Sequence, residues 1–188
     1  MKNYFANHMI FLENKYIIKN FKEVLYDIKL SDFLGYEIND EVKNIYNHYK
    51  EFTLSWFDKN GKYIGEINFV PFEKMVNEHN DLVSIMNDCY DVDNDEYDIA
   101  QDIIEWYPLF KFTNGDAFCL DRRNGSIVLY EHEVFDMGIN LHGQVIAKSI
   151  NDLFDKWEKI HFADVYYWDE ICDDYGINLK SDLAQRYI

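Results

Sequence analysis

The sequence predicts an α+β protein in which an antiparallel sheet of about five strands is flanked by helices. Three observations predict it: apolar residues recur at helical spacing near both ends, short extended runs between them are joined by Asn-Gly turns, and 48% of the 188 residues are hydrophobic. A chain of this size buries enough surface to fold without a disulfide or a metal ion. No Gly/Ser/Pro-rich linker interrupts it, so we predict a single domain over residues 1–188.

The first regular pattern is predicted to be helical. Phe21, Val24, Leu25 and Ile28 stand at i, i+3, i+4 and i+7, which is one face of a helix. Charged residues fill the opposite face. A second stripe of the same kind follows, made of Ile38, Val42, Ile45, Tyr46, Tyr49 and Phe52.

A period of two then replaces the helical period. Phe52, Leu54 and Trp56 alternate, the turn residues 58–61 break the run, and an extended pattern resumes over 63–70. The turn ends in Asn-Gly, which tolerates the positive φ of a tight turn, so a β-hairpin is predicted. Proline follows at position 71, where it suits the first turn of the helix predicted next.

Three further strand-like runs are predicted to form an antiparallel meander. Asn-Gly turns at 114–115 and 124–125 separate them, and this spacing is typical of successive hairpins. The predicted strands are 109–112, 117–121 and 126–133.

The remaining helices are placed by their caps and buried faces. A short helix over 99–106, with Ile103 on its inner face, precedes the meander. A longer helix follows it, with Ser149 as the predicted cap and Asp152 completing a capping box. Beyond residue 162 the chain is aromatic and acidic, and we predict one or two short helices there, with Ser181 as a cap.

Charge narrows the function classes. The chain has 35 acidic and 18 basic residues, a net charge of −17, which repels phosphate backbones and anionic membranes and favours a basic protein partner.

The N-terminus lacks a signal-peptide pattern and no apolar run could span a bilayer, so we expect a cytoplasmic protein. Cys89, Cys119 and Cys172 form no CxxC pair and are predicted to be buried thiols. No phosphate-binding glycine motif is present, and no cofactor is predicted.

An acidic segment between the helical and meander regions is predicted to be an exposed loop. Asp91, Asp93 and Asp95 stand at alternate positions, where an EF-hand-like loop carries oxygen ligands. The segment departs from that pattern at Glu96, where the sharp turn needs glycine, and at Asp102, where a longer bidentate glutamate is usual. Three interpretations stay open: a solvated loop, an acidic patch that contacts a partner, and a cation site.

Glu131, His132 and Glu133 form a candidate acid–base group. On a strand the two glutamates point to one face and the histidine to the other. Together with Asp116, the histidine and Glu133 suggest a metal-assisted hydrolase, but the chain has no nucleophile elbow and no HExxH pair. The favoured interpretation of His132 is a partly buried side chain that hydrogen-bonds to backbone or to a carboxylate.

The meander resembles the signature of the SUKH superfamily. The family pattern is a strand, a Gly-Asp turn, a strand ending in Asp, a second glycine turn and a strand ending in Tyr-x-His-Glu, which residues 110–121 and 127–133 match. The resemblance extends over about 38–161 and leaves helical extensions at both ends. Glycine supplies the positive φ of such a turn, and aspartate caps local N–H groups. The residues that match the family motif and are expected to have structural roles are Trp56, Asn114, Gly115, Asp116, Asp121, Tyr130 and His132.

The resemblance implies a non-enzymatic binding protein, because the superfamily includes yeast regulators of cell-wall synthesis and bacterial immunity proteins. The expected function is to bind and neutralise a toxin in the cytoplasm, and the negative charge suits the basic cleft of a nuclease-type toxin. An intracellular scaffold or regulatory module is the alternative, and the hydrolase is a third. The acids expected to contact the partner are Asp91, Asp93, Asp95, Glu96, Asp98, Glu131 and Glu133.

Overall fold

The computed structural model describes residues 4–25, 40–89, 102–132 and 141–188. Seven strands within these residues form one antiparallel sheet, and their order in the sheet is their order in the chain. The predicted fold class is therefore confirmed, with seven strands where about five were expected. The strands are β1 (Ile17–Leu25), β2 (Tyr49–Phe57), β3 (Tyr63–Phe69), β4 (Trp106–Lys111), β5 (Ala117–Asp121), β6 (Ile127–Tyr130) and β7 (Val145–Ala147).

Helices pack on both faces of the sheet. The longest has 15 residues, and no helix in the described ranges combines the length and apolar composition needed to cross a bilayer. A small hairpin, β8 (Cys172–Asp173) with β9 (Gly176–Ile177), forms a second sheet that packs against β7. The helices are α1 (Tyr4–Lys15), α2 (Asp40–Tyr46), α3 (Met75–Cys89), α4 (Ile150–Trp157), α5 (Trp168–Ile171) and α6 (Asp182–Gln185).

The larger core lies on the face of the sheet that α4 covers, and it consists mainly of aromatic rings. Trp157 is fully buried and meets Phe110 and Phe118 edge-on, with ring centroids 5.4 and 5.0 Å apart. Its indole N–H donates to the carbonyl of Ala163 at 3.0 Å. The polar end of this large side chain is thus satisfied inside the core, and the bond also holds the chain that follows α4.

The second core lies on the opposite face of the sheet. Ala117 and Cys119 of β5 point into it, alternating with neighbours that face the larger core, and Leu82 of α3 covers them. Cys119 is fully buried, as predicted, whereas Cys172 is only half-buried, and both are free thiols. The burial of Cys89 is not described.

Ile103 is also buried in the second core. Of the helix predicted over 99–106, residues 99–101 lie outside the described residues, Ile103–Glu105 form a 3-10 turn, and Trp106 already begins β4.

The predicted helix caps are confirmed. Ser149 precedes α4 and accepts the N–H of Asp152 at 3.3 Å, while the Asp152 carboxylate accepts the N–H of Lys148 at 3.0 Å. The reciprocal bond of the capping box thus reaches one residue further back than expected. Ser181 caps α6 by accepting the N–H of Ala184 at 3.1 Å.

The predicted hairpin of β2 and β3 is confirmed, and its register positions part of the candidate site. Ser55 pairs with Glu66, and Trp56 pairs with Gly65. The turn closes through Asp58, whose carboxylate accepts the N–H groups of residues 60 and 62 at 2.8 Å.

The meander of β4, β5 and β6 is confirmed as well, but its third strand ends at Tyr130 and not at 133. Glu131 and His132 therefore lie beyond the strand, and the predicted alternation of their side chains across it is wrong.

The helix predicted around Phe21, Val24 and Leu25 is wrong, because these residues lie in β1 at an edge of the sheet. Asn20 has a positive φ of 56°, and the register with β2 shifts between Lys19 and Lys22. This irregularity breaks the period of two and leaves a spacing that resembles a helix. Ile28 lies outside the described residues.

The second predicted helix is shorter than its apolar stripe. It ends at Tyr46, and Tyr49 and Phe52 belong to β2 instead. Both are buried in the larger core with Val42, so one apolar run serves a helix and then a strand on the same side of the protein. Ile38 lies outside the described residues.

Two histidines stack where α1 meets the chain after α4. The rings of His8 and His161 lie 5.4 Å apart and nearly parallel, and Phe162 meets His8 edge-on at 4.9 Å. His8 is only 5% exposed, and its Nε2 has no hydrogen-bond partner among the described residues. Burial, with a smaller contribution from His161, lowers the pKa of His8 to about 4. Both rings are therefore neutral in the folded protein at neutral pH.

Acid is expected to destabilise the protein through His8. The folded state binds this proton only near pH 4, whereas the unfolded chain binds it near pH 6.5, so stability is lost as the pH falls between these values. The expected loss through His8 is about 2 kcal/mol between pH 7.5 and pH 5. Urea unfolding of the natural protein and of His8→Phe, measured at both pH values, isolates this contribution. An equal loss in the two proteins would contradict it.

Candidate functional site

The Gly-Asp turn between β4 and β5 packs against His132. The turn closes through the N–H of Gly115, which donates to the carbonyl of Phe112 at 3.0 Å. Gly115 has a φ of 100°, and a Cβ there would lie 2.9 Å from Cγ of His132. Only glycine combines this backbone conformation with such a close approach.

Asp116 joins the turn to the end of β6. Its Oδ1 accepts the backbone N–H of His132 at 3.0 Å and lies 2.8 Å from the Nδ1 of the same residue. Its Oδ2 accepts the side-chain amide of Asn114 at 2.6 Å. The interpretation of His132 as a side chain bonded to a carboxylate is confirmed, and Asp116 accepts local N–H groups, as expected of an aspartate in a turn.

Glu66 lies beside this turn. It is 5% exposed, and its Oε1 accepts the backbone N–H of Thr113 at 2.6 Å. The hydroxyl of Tyr63, at the start of β3, lies near the same carboxylate. Burial, followed by the charges of Asp164 and Glu66, raises the pKa of Tyr63.

Asp164 comes from the chain that follows α4. Ala163 forms an antiparallel bridge to Gly65 of β3, which places Asp164 near Glu66. Asp164 is 5% exposed, and its Oδ1 is 3.5 Å from the N–H of Tyr166. Its Oδ2 is buried and accepts no hydrogen bond from the described residues.

The other two carboxylates influence the pKa of Asp164. Burial raises the pKa of Asp164 to about 7, and the charges of Asp116 and Glu66 contribute to the rise. Tyr166 completes the arrangement: its ring is half exposed, and burial together with the charges of all three carboxylates raises its pKa. We refer to Glu66, Asp116 and Asp164 as the carboxylate cluster.

The carboxylate cluster favours a positively charged ligand. Buried acids that lie near one another attract a cation strongly, because little solvent screens them. No lysine or arginine of the described ranges contributes to the electrostatic environment of Asp164. Within the same ranges, no three His, Cys, Asp or Glu side chains come together as metal ligands would. An ammonium or guanidinium group is therefore the cation that this chemistry suits best.

A contrasting arrangement surrounds Asp121 at the end of β5. Its side chain is 4% exposed, and Arg123 donates to it from Nε at 3.0 Å and from Nη2 at 2.6 Å. Although burial raises the pKa of Asp121, the hydrogen bonds of Arg123 hold it below its ordinary value. The neighbouring Arg122 pairs with Glu105, so the one Arg-Arg pair of the chain stabilises this turn.

Replacing Arg123 with alanine is expected to lower the free energy of unfolding by about 2 kcal/mol, because it leaves the buried Asp121 carboxylate without its cation. The matched control is Lys22→Ala, which removes a more exposed pair with Glu51 and is expected to cost less than about 1 kcal/mol. Urea unfolding at neutral pH measures both. Equal losses would show that the arginine gives no more than a surface ion pair.

The structure places only part of the predicted contact surface. Glu131 is half-buried, and its carboxylate accepts the N–H of Leu141 at 2.9 Å. Asp102 pairs with Arg123. The other predicted contact residues lie outside the described residues: Asp91, Asp93, Asp95, Glu96, Asp98 and Glu133.

The remaining motif residues have structural positions. Trp56 is fully buried, and its ring would lie 2.7 Å from a Cβ on Gly65. Tyr130 is buried in the second core, against α3 and the ring of His142. Of the three residues in the hydrolase hypothesis, the structure shows Asp116 in contact with His132, while Glu133 lies outside the described residues. The hydrolase hypothesis stays a prediction.

Glu66, Asp164, Tyr63 and Tyr166 were not among the residues singled out from the sequence. For Glu66 a signal exists, since this glutamate is the one charged residue of the strand 63–69 and stands between Ile64 and Ile67. For Asp164 the sequence carries no comparable signal, because the bridge to β3 spans almost one hundred residues.

No family model matches the chain, and neither a curated protein nor a solved structure matches it. The SUKH resemblance therefore stays a prediction. The geometry of the carboxylate cluster and the charge of the chain are the basis for a functional proposal.

Proposed function

We propose that this chain is a non-enzymatic immunity protein that binds and neutralises a basic, nuclease-type toxin in the cytoplasm. The observation that carries the proposal is the net charge of −17. An acidic surface is attracted electrostatically to the basic cleft in which a nuclease binds the phosphate groups of its substrate. A protein bound in that cleft prevents the nucleic acid from binding. The motif turn that resembles the SUKH superfamily supports the same function.

The ion pairs of the described residues support this electrostatic argument. Lys22, Lys111 and Lys156 contact acids at 2.7, 2.6 and 2.9 Å, and Arg122 and Arg123 are paired as well. Basic side chains held in this way present little positive surface to a phosphate backbone. The excess of acids is left to define the field that an approaching partner meets.

The proposal is tested with the polypeptide encoded next to this gene. Co-expression is expected to rescue cells from that polypeptide, and surface plasmon resonance should show tight binding whose association rate falls steeply between about 50 and 500 mM salt. Rescue without a complex, or turnover of a substrate by the purified chain, would overturn the proposal.

The predicted contact loop has its own variant. Asparagine at positions 91, 93 and 95 is expected to slow association, whereas asparagine at 155, 173 and 174 removes the same charge elsewhere and serves as the control. The replaced acids are exposed at 155, 173 and 174 and are predicted from the sequence to be exposed at 91, 93 and 95. Because exposed charges contribute at most about 1 kcal/mol each, both variants should fold. Equal slowing in the two variants would show that only the total charge matters.

A further inference from the structure

We propose that the carboxylate cluster is the receptor for one arginine or lysine side chain of the partner protein. This inference rests on the proposed function, since it names a contact in the same complex. It concerns residues other than the acids predicted to contact the partner, and it assigns a binding role to Glu66 and Asp164.

The first argument is the buried oxygen without a donor. Asp164 is only 5% exposed, yet its Oδ2 accepts no hydrogen bond from the described residues. Buried polar atoms are almost always satisfied, and one that is not is a costly exception that requires an explanation. Its acidic neighbours Glu66 and Asp116 are acceptors too, so they cannot supply the missing donor. The hydroxyl of Tyr63 lies near this group, but it also has no hydrogen-bond partner among the described residues and so does not satisfy Asp164. A guanidinium or ammonium group carries several N–H donors and would supply it.

The second argument is the contrast with Asp121. That carboxylate is as deeply buried, and the chain provides Arg123 to neutralise it. The carboxylate cluster concentrates three acids, and the described residues provide backbone, amide and imidazole donors but no lysine or arginine. Asp121, which stabilises a turn, is therefore neutralised by a cation of the same chain. The carboxylate cluster keeps the uncompensated negative charge that a binding site for a cation needs.

The third argument is the aromatic entrance. Tyr166 is half exposed, and its hydroxyl experiences the charges of all three acids, so its ring borders the cluster at the surface. Tyr166 also has a positive φ of 55°, an uncommon conformation for a residue with a side chain. The next residue, Tyr167, is 63% exposed. Aromatic rings beside carboxylates suit the stem and charged end of arginine or lysine.

A small ligand tests the site without the toxin. The probe is N-acetyl-argininamide, and N-acetyl-citrullinamide is its neutral control of almost the same shape. NMR titration of the natural protein is expected to shift the Tyr63 and Tyr166 ring signals with the arginine probe and not with the citrulline probe. Equal shifts with both probes would overturn the proposal, because the charge would then be irrelevant.

Variants locate the probe. Asp164→Asn and Glu66→Gln are each expected to weaken binding of N-acetyl-argininamide at least tenfold, while Asp174→Asn, an exposed acid in the β8–β9 turn, is expected to leave it unchanged. Thermal unfolding verifies that each variant is folded. Unchanged binding by folded Asp164→Asn would overturn the proposal, and so would stoichiometric binding of Ca²⁺ or Mg²⁺ that displaces the probe.

The two proposals fail in different ways. If the natural protein neutralises a toxin and folded Asp164→Asn binds it with equal affinity, the receptor role is overturned and the immunity function stands. If no toxin is neutralised but the arginine probe binds with the expected variant pattern, the immunity function fails and the cationic site stands. Loss of at least tenfold in toxin affinity on Asp164→Asn, with Asp174→Asn unaffected, supports both.

Discussion

Replacing Gly65 with alanine is expected to lower the free energy of unfolding by about 3 kcal/mol. A Cβ at this position would lie 2.6 Å from the carbonyl oxygen of Phe162 and 2.7 Å from Cζ2 of Trp56. Neither neighbour can move easily, because Trp56 is fully buried and the N–H of Phe162 is bonded to the carbonyl of Trp157 at 2.8 Å. The new methyl group therefore pushes the chain after α4 away from β3.

Urea unfolding measures the loss, and Gly61→Ala is the control. Gly61 has a positive φ of 84°, but no atom of the described residues beyond its chain neighbours lies within 4 Å of the point that a Cβ would occupy. This change is therefore expected to cost only about 1 kcal/mol from backbone strain. Because Gly65 bridges to Ala163, the Gly65 variant should also weaken binding of the arginine probe. A Gly65→Ala protein as stable as the natural one would contradict the close packing around Gly65.

The turns and caps could be predicted because they depend on a few neighbouring residues. The Asn-Gly pair before β3 and the Ser149 cap of α4 follow from local backbone chemistry and are found as expected. The buried face of α4 follows from helical spacing alone. These elements include the turn that contains Asp116, so this part of the candidate site could be predicted from the sequence.

The edge strand could not be predicted in the same way. β1 is exposed along most of its length, and Phe21 and Leu25 remain more than half exposed. A strand that buries neither face leaves no strict alternation in the sequence. The bulge at Asn20 then shifts the apolar residues into a helix-like spacing. Pairing with β2, a long-range interaction, decides the structure of this segment.

The carboxylate cluster depends on long-range contacts to an even greater degree. Glu66, Asp116 and Asp164 come from β3, the β4–β5 turn and the chain after α4, and the Gly65–Ala163 bridge completes the group. The residues after 162 were predicted only as short helices. Their position beside the sheet depends on the pairing of β3. β4 pairs with β3 only at Phe69, and Ala163 pairs with Gly65 at the other end of the strand.

Replacing Asp164 with asparagine is expected to stabilise the protein by up to about 4 kcal/mol at pH 8. In the folded state the carboxyl has a pKa of about 7, against 3.8 in the unfolded chain, so folding favours its protonated form. Stability is therefore lost as the pH rises from about 4 to about 7. Asparagine has no charge to lose and its amide can donate to a neighbouring acid, so it removes this cost.

The gain has a pH profile that distinguishes it from better packing. At pH 4 the natural carboxyl is largely protonated in the folded state, and the gain is expected to shrink to less than about 1 kcal/mol. Urea unfolding at pH 4, 6 and 8 measures the profile, with Asp174→Asn as the exposed control. A gain that did not depend on pH would contradict the charge argument. A change that stabilises the protein but weakens binding of the arginine probe at least tenfold is the behaviour expected of a residue that serves binding at the expense of stability.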